Sequence, residues 1–239
     1  MTPGRPLRRV DGEPSLPLAS SSWPGSIPAV RQILHQGLDL GALTVLVGEN
    51  GSGKSTLVEA IAMAFGMSAE GGSTGARHST RSTESPLSQH LRLARGIGGA
   101  RWGFFLRAET MHGFYSYLEA NPPKGAESRF HEMSHGESFL GILASRFTGP
   151  GLYVLDEPEA ALSFQSVLAL VNLLREIAES GTRQAVVATH SPIVAATPGA
   201  DVYEVDERGI RPVAWEELDL VRHWKRFMQD PQAYLRHLD

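Results

Sequence analysis

A chain of 239 residues with a net charge of −4 has room for one large α/β domain but not for two comfortable ones. So mild a charge speaks against wholesale coating of nucleic acid and leaves only a local basic patch open. With no cysteine there is no disulfide framework, thiolate zinc site or cysteine nucleophile, and no apolar run nears the length that crosses a bilayer. The N-terminal arginines precede no apolar core, which excludes a secretory signal and sets the expectation of a cytoplasmic protein.

Residues 1–25 hold Pro3, Pro6, Pro14, Pro17, Pro24 and the run Ser20–Ser22, and they read as an extended, loosely tied arm. Between Ile27 and Leu40, the apolar positions Ile27, Val30, Ile33 and Leu34 fit a short strand or a turn of helix equally well. Trp23 suits packing against the body of the protein or stacking on a nucleobase.

The apolar run Leu43–Val47 predicts a buried strand, and Leu57 to Phe65 predicts a helix. Between them stands Gly48-Glu49-Asn50-Gly51-Ser52-Gly53-Lys54-Ser55-Thr56, with the G-x-x-x-x-G-K-[ST] spacing of a phosphate-binding loop. Glycines let backbone N–H groups converge on phosphate oxygens, and the helix start adds its positive dipole end. Lys54 is placed to carry charge to the β- and γ-phosphates, with the Ser55 hydroxyl as a Mg²⁺ ligand. This pattern predicts binding of a nucleoside triphosphate.

Ser68 to His90 is rich in Gly, Ser, Thr and Arg and reads as a long surface loop. Arg77, Arg81, Arg92, Arg95, Arg101 and Arg107 stand against a single acid in that region, Glu84, and read as a solvated face or as a nucleic-acid or phosphate contact face. Trp102–Ala108 predicts a strand, followed directly by Glu109. Ser134 and Glu137 form an S-x-x-E capping box opening a helix to about Phe147, and a capped helix start with Gly136 in its first turn is an anion site.

Leu152–Leu155 is an apolar strand ending in Asp156-Glu157. Such a strand delivers an aspartate to the sheet edge that also carries the phosphate loop, where Asp156 can hold Mg²⁺ and Glu157 can polarise water. Ser163 to Ser180 has helical periodicity and stops at Gly181. Ala185–Ala188 is another buried strand, followed by Thr189-His190-Ser191-Pro192, which places His190 near the γ-phosphate. Val202–Val205 and Ile210–Val213 suggest a closing hairpin, and Trp215 to Leu238 a helical end with charged faces. Alternating strands and helices predict a doubly wound, mostly parallel sheet.

The order phosphate loop, S-x-G-E-S, strand-Asp-Glu-Pro and Thr-His resembles the ATP-binding-cassette (ABC) type of ATPase. The wordings SHGES, DEPEAALS, GFFLRAE and ATHSP are more similar to small bacterial AAA-family ATPases related to SMC, RecF and OLD-nuclease ATPases. The resemblance implies an ABC-type P-loop fold over residues 26–239, with a small lid at about 68–147. It puts Ser134–Ser138 at the signature motif, Pro158–Ser163 at the D-loop and His190 at the switch histidine. Two departures stand out: His135 replaces a signature glycine, and Glu109, a candidate metal ligand, is the residue nearest the usual Q-loop glutamine. The implied function is ATP hydrolysis with Mg²⁺ in an ATP-dependent homodimer, where Ser134 and Gly136 of one subunit cap the γ-phosphate held by the other and Glu137 belongs to the same nucleotide-binding helix start. Such a switch or clamp would act on nucleic acid or a protein partner. The alternatives are a transporter's nucleotide-binding subunit and a low-turnover nucleotide sensor.

Overall fold

A computed structural model describes residues 4–74, 85–107, 141, 143, 147–160 and 162–236 of the chain. Its strands are β1 (Arg9–Gly12), β2 (Leu38–Asp39), β3 (Leu43–Val47), β4 (Gly72–Ser73), β5 (Leu91–Ala94), β6 (Gly103–Arg107), β7 (Gly151–Asp156), β8 (Arg183–Thr189), β9 (Asp201–Asp206) and β10 (Gly209–Pro212). The helices are α1 (Pro28–Gln36), α2 (Lys54–Phe65), α3 (Phe164–Glu179), α4 (Pro192–Ala195), α5 (Asp219–Gln229) and α6 (Gln232–Leu235).

All five residues of β3 and all six of β7 are buried, as strands covered on both faces must be. They lie in a seven-stranded sheet of order β10-β9-β3-β8-β7-β6-β4. The inner strands β9, β3, β8, β7 and β6 run parallel, and β10 and β4 join antiparallel at the edges. One apolar cluster joins α1 and α2 to one face through Ile33, Leu57, Ile61 and Val186; the other joins α3 to the opposite face through Leu170, Leu174, Tyr153 and Val187. This is the expected α/β fold with helices on both faces of a mostly parallel sheet.

The ambiguous stretch after Ile27 is the helix α1, with Pro28 at its first position, where a missing N–H costs nothing. Its Gln32 side chain pairs with both backbone groups of Ile210, donating to the carbonyl at 2.8 Å and accepting from the N–H at 2.9 Å. The edge strand β10 is thereby satisfied on its outer side.

The N-terminal segment is extended as expected, but it is not loose. β1 pairs with β2 and β5 in a separate three-stranded antiparallel sheet, and Leu7 and Val10 are fully buried. Buried Gln184 at the start of β8 accepts from the Leu7 N–H at 2.8 Å and donates to the carbonyls of Leu7 at 2.6 Å and Gly41 at 2.7 Å. Part of the stretch read as one long loop is also ordered into β4 and a short 3-10 turn over Pro86–His90. Trp23 is 57% exposed, so packing against the body does not describe it.

Replacing Gln184 by leucine leaves three buried backbone groups without partners. At roughly 1–3 kcal/mol for each unsatisfied buried group, the Gln184→Leu protein should lose about 3 kcal/mol or more in urea unfolding.

Candidate nucleotide site

The parallel register brings the strand ends onto one line: Val47 pairs with Thr189 and Glu204, and Asp156 pairs with Ala188 and Arg107. The loop 48–53, Glu157 and His190 therefore all leave the sheet at the same edge. In open α/β sheets this carboxyl edge is where ligands bind.

The loop is built for close approach. Gly51 and Gly53 have φ of 81° and 99°, and Gly53 is the left-handed N-cap of α2. A Cβ on Gly48 would lie 2.1 Å from the Val205 carbonyl oxygen, and one on Gly53 would lie 2.6 Å from Ile27 Cγ2. The hydroxyl of Ser52 is buried with no hydrogen-bond partner among the described residues. These features fit a phosphate group, which would accept from the loop N–H groups and the Ser52 hydroxyl at the start of a helix.

Lys54 is 3% exposed, and its Nζ donates to the Glu49 carbonyl at 2.8 Å. Burial pushes its ammonium below the ordinary lysine value, against the pull of the carboxylates of Glu157, Asp156, Glu159 and Glu49. Phosphate oxygens arriving there would add to that pull. Asp156 is 6% exposed, and Arg107 Nε stands 4.0 Å from its Oδ2 while the same guanidinium donates to Glu59 Oε2 on α2 at 2.7 Å. Ser55 in α2 and Asp156 provide oxygen donors of the kind a hard cation such as Mg²⁺ takes.

Glu157 sits at φ 51°, in the left-handed region, with its N–H bonded to the Ala188 carbonyl at 2.9 Å. Its Oε1 lies 3.4 Å from His190 Nδ1. Glu159 lies in the stretch Pro158–Ser163 that the resemblance places at the D-loop, with no role of its own implied there. It is buried, and its Oε1 accepts from the Thr189 hydroxyl and from the His190 N–H, the latter at 3.1 Å. The signal for it was an acid two residues past the pair, where a solvated turn would be expected. Thr56 and Asn50 lie with the loop and its helix, whereas Glu109, Ser134, Gly136 and Glu137 fall outside the described residues.

The family described as "AAA domain, putative AbiEii toxin, Type IV TA system" matches residues 96–196, and the family described as "AAA domain" matches residues 26–94. "Ribose import ATP-binding protein RbsA 1" of Burkholderia cenocepacia is 28% identical over 210 residues, covering 77% of this chain and 39% of that protein. Its counterpart from Burkholderia ambifaria matches at the same identity and coverage. The chain thus spans well under half the length of these relatives. Among solved structures, the SMC head domain from Thermotoga maritima has a TM-score of 0.45 at 19% identity, covering 74% of this chain and 93% of that one. A putative metal-chelate type ABC transporter also scores 0.45, at 18% identity and 76% coverage of each chain. AAA-domain families thus match residues 26–94 and 96–196, and an ABC ATP-binding relative covers 77% of this chain, so the chain is similar to AAA-domain and ABC-type ATPases.

Proposed function

We propose that the chain hydrolyses ATP at this sheet edge, and that the competent form is a homodimer acting as a switch or clamp on a macromolecular partner. The convergence of Lys54, Asp156, Glu157 and His190 on one edge carries the reading. The loop amides and Lys54 bind the β- and γ-phosphates. Ser55 and Asp156 hold Mg²⁺, which neutralises phosphate charge. Glu157 takes a proton from water as the water oxygen attacks the γ-phosphorus, and the β–γ bridging bond breaks with its electron pair leaving on ADP. His190, 3.4 Å from Glu157, orients that water or the γ-phosphate. Glu159 holds the His190 backbone in place.

Ser134 and Gly136 of a second subunit cap the γ-phosphate in this scheme, because the N–H groups of a helix start suit an anion, and Glu137 closes the capping box beside them. Glu109 is the further candidate at the metal. Action on nucleic acid rests on likeness to clamp-forming ATPases alone. A second reading, a transporter's nucleotide-binding subunit, is favoured by the ribose-import relatives. No helix among the described residues is long and apolar enough to cross a membrane, so that reading needs a separate membrane partner. Turnover measured with and without single-stranded and duplex DNA or RNA tests the partner: stimulation supports a clamp on nucleic acid, and its absence leaves a protein partner, which the transporter reading also requires.

Lys54→Ala should abolish nucleotide binding in calorimetry, and retained binding would refute the cradle. Glu157→Gln should cut turnover by about 10²–10⁴-fold, the usual contribution of a positioned base. The same variant should accumulate as an ATP-bound dimer in light scattering; a monomer would refute the two-subunit site. Glu159→Ala should lower kcat by roughly 10- to 100-fold, as small misplacements of catalytic groups do, with ATP affinity kept. Glu159→Gln, whose amide oxygen still accepts both bonds, should recover most of that loss.

A further inference from the structure

α5 has an apolar stripe longer than the core it docks on. Leu220, Val221, Trp224, Phe227 and Met228 recur at helical spacing, yet Val221 is the one buried residue of the helix. Val221 and the preceding Leu218 sink into the cluster beneath α3, and Leu220 packs against it. Beyond that first turn, Trp224 is 50% exposed and Met228 73%. His223 Nδ1 and the Tyr234 hydroxyl are 2.8 Å apart, and Phe227 meets the Tyr234 ring edge-on at 6.0 Å, so α6 is folded back on α5. No ring or cation pairs with the Trp224 indole among the described residues.

The start of α5 is fixed rather than free. Buried Glu204, at the end of β9, accepts from the Asp219 N–H at 2.8 Å and from Arg211. Glu204 pairs in register with Val47, the residue before the phosphate loop. The helix is thus tied to the strand beside the loop, and a single cavity of about 1300 Å³ is lined by Gly48–Ser52 together with Trp224, Phe227 and Tyr234. That volume exceeds what a triphosphate tail needs and reaches the size of whole-ligand sites.

We propose that this aromatic face is the base subsite of the same nucleotide, the nucleobase stacking on the Trp224 indole. The assignment rests on the phosphate reading above. Three observations commit the occupant to a base. The loop and the indole share one cavity; a flat π-face is what an unpaired indole lacks; and the exposed stripe spans little more than one turn. A stable dimer interface needs about 800 Å² and roughly 20–30 residues from each partner, whereas Trp224 and Met228 are the exposed large apolar residues of this helix. Stacking tolerates any base, because every base has a π-face, so the subsite adds affinity with little choice between purines.

Calorimetry on the full chain with the Mg²⁺ forms of ATP, GTP and inorganic tripolyphosphate tests this. Stacking on an aromatic ring corresponds to roughly a 5- to 150-fold change in affinity. Trp224→Ala should weaken ATP and GTP binding by about tenfold or more and leave tripolyphosphate binding unchanged, while Trp224→Phe keeps most of the affinity. Wild-type ATP affinity in Trp224→Ala overturns the subsite, as does an equal loss for tripolyphosphate. A change confined to oligomeric state in light scattering also overturns it, by assigning the face to a second copy. The phosphate reading is checked apart: if Lys54→Ala binds tripolyphosphate as the wild type does, both fall, whereas unchanged ATP binding in Trp224→Ala removes the base subsite alone.

Discussion

The carboxylate of Glu159 is the contact on which the site's geometry depends. β7 and β8 are buried on both faces, so apolar pattern alone ranks their registers weakly. Polar pins have to make the choice. At the N-terminal end of β8, Gln184 is bonded to Leu7 and Gly41, and at its C-terminal end Thr189 and the His190 N–H bond Glu159 from the turn after β7. A slip of one residue would break both ends and turn every side chain of the strand to the other face. Because an unmade buried bond costs more than a made one gains, the pins act chiefly by penalising the alternatives.

The same economy of charge runs through the phosphate cradle. Asp156, Glu157 and Glu159 bring three carboxylates toward one buried ammonium, with Arg107 beside Asp156 and bound to Glu59. Excess acid at an edge that receives a polyanion looks contradictory until the cations are counted. Lys54 needs negative neighbours while the nucleotide is away, and a divalent ion bound with the nucleotide would draw on oxygen donors of the same kind. Electrostatics of this kind gains most in a site already sheltered from water.

Much of this was legible in the residues because the signals were local. The glycine loop, the apolar runs of β3, β7 and β8, the periodicity and Ser163 cap of α3, and the β9–β10 hairpin each declare themselves within a short window. The small sheet of β1, β2 and β5 did not, since its strands have four residues or fewer and pair across long separations. The tie from Gln184 to Leu7 spans 177 positions and has no sequence signature at all. The C-terminal helix was legible as a helix with charged faces, but its unburied aromatic stripe emerged only once the core beneath it was seen to end at Val221.

The backbone at Glu157 shows how the site is reached from such ordinary elements. A strand continued past Asp156 would turn the next side chain toward a face of the sheet rather than toward the residue that follows β8. Placing a non-glycine residue at φ 51° costs on the order of 1–3 kcal/mol. The Glu157 N–H bond to Ala188 and the Glu159 bonds to Thr189 and His190 hold the turn in that conformation. The return is that Glu157 ends within 3.4 Å of His190 instead of pointing into solvent. A glycine there would relieve the strain and lose the carboxylate, and a relaxed glutamate would keep the carboxylate and lose its aim. The strain and the aim of the acid are therefore one feature.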